Sequence, residues 1–324
     1  MTSRIAKGFW RKVKILGLAV SIGQPKKGVE WTPQILLDSQ ISNLFHPQYE
    51  ADWIGILDQQ VLIEEWKQKL ALNSPSIESP ENTLLQEERP PKIKNLGELN
   101  YYMEHQYKSI LKNISSTDFL LSIGGDHSVA SATISASLKL QKGNLSVIWI
   151  DAHGDCNTPD ISPSGNYHGM PLAHVFGLFK KNPFSWMSNF LPIQRCVQIG
   201  IRDLDGEEEK LMNSIGLKYF TASQVRNYGI QQVIKDSLAY VDPENNRNIH
   251  LSLDVDGFDP TFVPGTGTLA PNGLFIEDYS VVVDEIKKCG ERFSSMDLVE
   301  VNFQIEKEQT LKAVKEILKT TFSD

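Results

Sequence analysis

Six short apolar runs rich in β-branched residues recur along this 324-residue chain, and nearly every one ends in residues that can carry chemistry. They are VKILGLAVS (13–21), DFLLSIGG (118–125), SVIWID (146–151), CVQIGIRD (196–203), IHLSLDVD (249–256) and MDLVEVN (296–302). Continuous apolar runs of this length, bounded by Gly, Asp and Asn, are the pattern of strands buried on both faces. Helices are expected between them at 128–141, 230–241 and 277–288. A closing amphipathic helix at 309–322 spaces Leu311, Val314, Ile317 and Leu318 along one face. Strand–helix alternation predicts an α/β fold with a mostly parallel sheet covered on both sides. In such a sheet, ligands bind in the crevice outside the carboxyl ends of the strands.

No internal repeat or true linker divides the sequence, so a single domain over residues 1–324 is expected. One stretch breaks the rhythm. Residues 73–92 carry Pro75, Pro80, Pro90 and Pro91 among polar residues and read as a surface loop. Forty acidic against 32 basic side chains give a net charge of −8, which disfavours a nucleic-acid partner. No apolar run approaches the roughly 18 residues that a membrane span needs. Cys156, Cys196 and Cys289 are widely spaced and form no CxxC, against a disulfide scaffold or thiolate zinc site and for a reducing compartment. The first residues, MTSRIAKGFWRKVK, are basic and free of acids, as in a transit peptide, but the first strand follows almost at once. The expectation is a solvated lead-in and a cytoplasmic protein, with a mitochondrial one as the alternative.

The strand ends hold Asp126 and His127; Asp151, His153 and Asp155; Asp203 and Asp205; Asp254 and Asp256; and Glu300. In an extended segment, residues i, i+2 and i+4 face the same way, so Asp151, His153 and Asp155 should converge, as should Asp254 and Asp256. With His127 they give four carboxylates and two imidazoles. Four aspartates packed together repel and raise one another's pKa unless cations neutralise them. An oxygen-rich site with imidazole and no thiolate suits Mn²⁺ better than structural zinc.

GGDHS (124–128), DAHGDCN (151–157), SGNYHG (164–169) and LDVDGFDP (253–260) resemble the signatures of the ureohydrolases, the arginase and agmatinase family. The resemblance runs from the segment near residue 16 to VEVN (299–302) and the helix beyond. It implies a three-layer α/β/α fold, two Mn²⁺ per subunit and usually a homotrimer. It assigns His127, Asp151, His153, Asp155, Asp254 and Asp256 as metal ligands. It makes Glu300 the group that holds a guanidinium and His168 the proton shuttle. Asp155 is also expected to orient a metal-bridging hydroxide, because the resonance-stabilised guanidinium carbon needs a strong nucleophile.

The loop DCNTPDISPSGNYH resembles the arginase version. It implies that Asn157, Ser162, Ser164 and Asn166 read an α-carboxylate, that Asp205 and Glu208 face an α-amine, and that Thr268 lies at the pocket rim. This points to hydrolysis of L-arginine to L-ornithine and urea. An agmatinase or other guanidino-compound ureohydrolase is the alternative, and a non-catalytic relative would lack a ligand or the shuttle. His174, at an apolar helix start, is expected to be structural, and Cys156 to be a buried inert thiol. Phe303 stands where the family commonly has proline, so the loop after Glu300 is expected to be set differently. The extended tail by which some arginases hold neighbouring subunits is not apparent.

Overall fold

The computed structural model describes residues 11–73 and 92–324; residues 1–10 of the basic lead-in and 74–91 of the expected polar loop lie outside them. Eight strands form one sheet: β1 (Arg11–Ala19), β2 (Tyr49–Asp58), β3 (Phe119–Ile123), β4 (Leu145–Ile150), β5 (Cys196–Ile201), β6 (Lys218–Thr221), β7 (Asn248–Asp254) and β8 (Phe293–Val299). Their order across the sheet is β2-β1-β3-β8-β7-β4-β5-β6, and every neighbouring pair among the described residues is parallel.

The six apolar runs are the six inner strands. The two that were not anticipated, β2 and β6, are the sheet edges. An edge strand has a ladder partner on one side only and keeps polar side chains there. No residue of β2 is fully buried, its acids Glu50 and Asp52 stand among apolar neighbours, and Lys14 of β1 pairs with Asp52 at 2.8 Å. Such a segment never reads as a continuous apolar run.

Ten α-helices cover the sheet among the described residues. On one face lie α1 (Thr32–Asp38), α7 (Ala222–Tyr228), α8 (Ile230–Val241), α9 (Ile276–Lys287) and α10 (Glu308–Thr321). They pack Leu36, Val225, Val233, Val282 and Val314 against Ile15, Leu121, Ile148 and Leu251 of the strands. On the other lie α2 (Gln59–Asn73), α3 (Leu96–Asn113), α4 (Ala130–Leu140), α5 (Pro171–Val175) and α6 (Gly206–Ser214), with Leu62, Leu99, Ala132, Leu172 and Met212 over Leu16, Leu120, Val147 and Trp149. This is the expected three-layer α/β/α arrangement. No helix of the described residues is long and apolar enough to cross a membrane. The order β3-β8-β7-β4 sets four strand ends side by side, and the loops leaving them carry His127, Glu300, Asp254 and Asp151.

Candidate active site

After β3 the chain turns through Gly124 and Gly125, both at positive φ (86° and 81°). A Cβ on Gly125 would come within 2.9 Å of Leu18 O, so this turn requires glycine. It delivers Asp126, whose oxygens accept from Ser128 N (3.1 Å) and Gly23 N (2.8 Å), and then His127, fully buried with its ring stacked on Trp149 at 4.2 Å. Asp151 follows β4 directly, accepting from Trp149 Nε1 at 2.9 Å.

The expected alternation of an extended segment is not what brings the aspartates together. The chain bends at Ala152 and His153, Asp155 sits at φ 47°, and Asp256 lies on a 3-10 turn (Val255–Gly257) after β7. Local turns aim these side chains, held by carboxylate acceptors: His153 N donates to Asp151 Oδ1 (2.7 Å), Asp256 N to Asp254 Oδ1 (2.9 Å) and Ala152 N to Asp256 Oδ1 (3.2 Å).

Two groups of potential ligand atoms result, His127–Asp151–Asp254 and Asp151–His153–Asp256, each with its atoms within 4.8 Å of one another and Asp151 common to both. Asp155 belongs to neither triplet but places Oδ2 3.1 Å from His127 Nδ1. Asp151 and Asp254 approach the same nitrogen at 3.1 Å. A ring nitrogen carries at most one proton, so it cannot satisfy three carboxylates. A divalent cation among the four would, and the donor set fits one. Burial and then repulsion from Asp256 and Asp151 push the Asp254 carboxyl well above the usual range, and burial with Asp151 raises Asp155 to about 6. Burial opposes a charged His127, but Asp151, Asp155 and Asp254 together hold its pKa well above normal.

Glu300 lies beyond β8 at φ 60° and is buried. Its Oε1 accepts from His127 N (2.9 Å) and stands 3.2 Å from His168 Nδ1, while Oε2 accepts from Gln24 Nε2 (2.7 Å). Burial favours its neutral form, but the bond to His168 and the His127 amide outweigh it and lower its pKa. Burial works against a charged His168 as well, and the Glu300 carboxylate overrides it, raising the imidazole to about 9. Asp155 and Glu300 are thus two side chains held in the left-handed region, where non-glycine residues are uncommon and strain tends to collect at functional sites.

A cleft of about 220 Å³ opens over this cluster, lined by His153, Asp155, Asp254, Asp256, His168 and Glu300. Its remaining wall includes Asn157, Ser162, Ser164, Asn166, Asp205, Glu208 and Thr268, together with Asp203, noted in the sequence only as a strand-end acid, and Gly169, which sequence reasoning did not single out. His127 and Asp151 lie beneath, fully buried. Ser162 and Ser164 also act as turn residues, accepting from Gly165 N (3.0 Å) and Asn166 N (3.1 Å). Asn157 donates to Asp205 at 3.1 Å, and its buried Oδ1 has no hydrogen-bond partner among the described residues. Glu208 accepts from Cys156 N at 2.8 Å, and burial raises its carboxyl to about 8.

His174 is packed away from the cleft, between Tyr167 (2.6 Å) and Asn182 (2.8 Å). Cys156 is buried, and burial pushes its thiol well above the ordinary range. The loop after Glu300 is firmly set without proline: Asn302 N donates to Gly265 O (2.7 Å), its side chain to Lys27 O (2.9 Å), and Phe303 is buried in the core.

Three supports went unnoticed in the sequence. Arg202 donates to Asp256 O (2.5 Å), Phe258 O (3.1 Å) and Ala270 O (2.7 Å), pinning the Asp254–Asp256 turn to the loop bearing Thr268. Lys92 and Lys94 hold the 162–166 turn through Ser162 O (2.8 Å) and Asn166 Oδ1 (3.1 Å). Gln24 reaches Glu300. Only Arg202 had a signal, as the polar residue at the end of an inner strand.

The cluster's raised groups fix a stability profile. A group whose pKa is raised on folding contributes stability that is complete below its unfolded value and lost as pH climbs through its folded one. With Asp155 raised to about 6, Glu208 to about 8 and His168 to about 9, all three act in the same direction. The lowered Glu300 and Asp151 respond only at acid pH. Chelator-treated protein should therefore melt at progressively lower temperature from about pH 7 to about pH 9, above the range in which buried His174, lowered to about 4, acts the other way. Divalent cation should restore more at the alkaline end, because ligands bind deprotonated. A flat or rising melting profile would contradict this electrostatic picture.

The chain matches the family model described as "Arginase family" over residues 11–323. It is 42% identical to an arginase of Plasmodium falciparum over 65% of this chain and 52% of that protein, so the match spans about half of that relative. It is 33% identical to an arginase of Entamoeba histolytica over 97% of this chain and 98% of the relative. The crystal structure of Entamoeba histolytica arginase in complex with L-ornithine aligns with a TM-score of 0.81 and 31% identity, covering 97% of this chain and 99% of that one.

Proposed function

Because the chain belongs to the arginase family, we infer that it hydrolyses L-arginine to L-ornithine and urea. The observation that carries this reading is that a single cleft lies over both groups of candidate metal ligands and is lined by His153, Asp254 and Asp256 from them, by Glu300 and His168, and by a polar wall suited to an α-amino acid. The Entamoeba relative, solved with L-ornithine, binds the product this reaction would release.

His127, Asp151, His153, Asp155, Asp254 and Asp256 would hold two Mn²⁺ ions. When bound, such ions supply Lewis acidity that makes a water molecule a competent nucleophile at neutral pH. The protein's own groups do the rest. Glu300, kept ionised, receives the planar guanidinium through charge-assisted hydrogen bonds. Asp155 accepts a hydrogen bond from the attacking water and orients it towards the guanidinium carbon. As the bond from that carbon to the side-chain nitrogen breaks, the nitrogen takes up a proton and leaves as the ornithine amine. His168, protonated at neutral pH and beside Glu300, supplies that proton.

At the other end of the substrate, Asn157, Ser162, Ser164, Asn166 and Thr268 would serve the α-carboxylate directly or through water. Asp205 would face the α-amine. Glu208, already engaged with Cys156 N, would act from behind it. We further propose one ureohydrolase domain, assembled as a homotrimer in the cytoplasm.

The deciding experiment is urea release by manganese-loaded protein with L-arginine and agmatine side by side. Strong preference for arginine supports the reading; preference for agmatine would keep the metal chemistry and sink the specificity assignment. Urea from neither, with manganese verified in the protein, would favour a non-catalytic relative. His168→Asn should lower kcat about 10²-fold or more with manganese content unchanged. Loss of metal in that variant would show that its role is misassigned.

A further inference from the structure

We propose that Gln24 is a positioning residue for substrate recognition: its side-chain amide fixes the Glu300 carboxylate in the plane that receives a guanidinium. The inference rests on Glu300 being the guanidinium-binding group, as read above. Gln24 lies in the loop between β1 and α1, is 7% exposed, and donates from Nε2 to Glu300 Oε2 at 2.7 Å. The other oxygen, Oε1, is fixed independently by His127 N at 2.9 Å.

With a donor on each oxygen, the carboxylate cannot turn about its terminal bond. That matters because a guanidinium is planar and presents its N–H groups in a rigid fork, so the carboxylate plane decides whether two bonds form or one. Without Gln24, Oε1 alone would be anchored and Oε2 would be free to swing. No other hydrogen bond to Oε2 is present among the described residues.

The loop that bears Gln24 is tied to each neighbour whose position it must share. Gly23 N donates to Asp126 Oδ2 (2.8 Å), and Gly23 O accepts from His168 N (3.2 Å). The Lys26 ammonium donates to Gly267 O, and Lys27 O accepts from Asn302 Nδ2 (2.9 Å). Backbone and lysine contacts therefore fix the loop without the Gln24 side chain, so the amide's one specific contact is with Glu300.

The test uses manganese-loaded Gln24→Met, which keeps chain length and burial but removes the donor. The KM for L-arginine should rise about 10-fold or more and kcat/KM fall about 10- to 100-fold. Affinity for guanidinium chloride, measured by calorimetry, should fall in parallel. Affinity for L-norvaline, an α-amino acid without a guanidinium, should change by less than about 2-fold, since its contacts do not run through Glu300. Gln24→Asn, which keeps the amide one carbon short, should show the same selective loss and carries the test if Gln24→Met folds poorly.

An unchanged KM in either folded variant would overturn the proposal. So would equal losses for guanidinium and norvaline, which would mark a general disturbance of the cleft. Wild-type protein that releases no urea from arginine would sink the functional reading instead. The guanidinium affinities of wild type and variant would then still decide the role of Gln24.

Discussion

Replacing Glu300 with glutamine should lower kcat/KM for L-arginine by about 10²- to 10³-fold while leaving bound metal in place, as expected for losing one partner of a buried charge pair. The substitution preserves volume, and the left-handed backbone at φ 60° is no harder for glutamine than for glutamate. What changes is charge and donor pattern. Whichever way the new amide turns, its NH₂ meets a donor that the carboxylate now satisfies, either Gln24 Nε2 or His127 N. One buried donor is left unpaired, and the substrate cation loses its counter-charge. Steady-state kinetics with metal analysis on the same sample checks this, and an unchanged kcat/KM would remove Glu300 from the recognition of the guanidinium.

A larger loss is expected from Asp151→Asn. Asp151 is the member common to both ligand groups, with Oδ2 at 3.1 Å from His127 Nδ1 and Oδ1 accepting from His153 N at 2.7 Å. Burial opposes its charge, but His127 and His153 together hold its carboxyl far below the usual range, whereas burial and its aspartate neighbours push Asp254 the other way. An asparagine there would remove a carboxylate charge from both candidate ligand groups. Metal content should fall from two ions per chain towards none, with activity down at least about 10³-fold. Any gain in melting temperature on adding manganese should vanish with it. Retention of both ions would show that the ligand groups are wrongly drawn.

These two residues also show how much was legible beforehand. Glu300 and Asp151 each follow directly on a run of apolar residues, and in a parallel sheet the end of such a run is where a side chain emerges from the core into a crevice. The candidate ligand set could be gathered in this way because every member stands at or just past an inner strand. How its members converge could not. Alternation along an extended chain was the natural expectation for 151–155, yet a bend and the φ 47° of Asp155 aim those side chains. A left-handed aspartate leaves no mark in composition. The edge strands β2 and β6 were missed because, half-solvated and short of ladder partners, they lack the apolar continuity that marked the rest.

Gln24 and Arg202 illustrate the remaining limit. A glutamine in a polar Gly-Gln-Pro-Lys-Lys loop reads as solvated, and only the meeting of that loop with the end of β8 turns it into a buried donor. The inner strands, their alternation with helices and the chemical types at their ends could be read from the chain alone, because hydrophobic periodicity and residue type are local properties. Tertiary structure decided which of those ends are neighbours. The order β3-β8-β7-β4 brings residues 127, 300, 254 and 151 to one crevice, and it places Gln24 against a carboxylate 276 residues away. Strand order is fixed by which parallel ladders form and where the crossover helices pack. That is a global balance of buried area and hydrogen bonding, which no window of sequence contains.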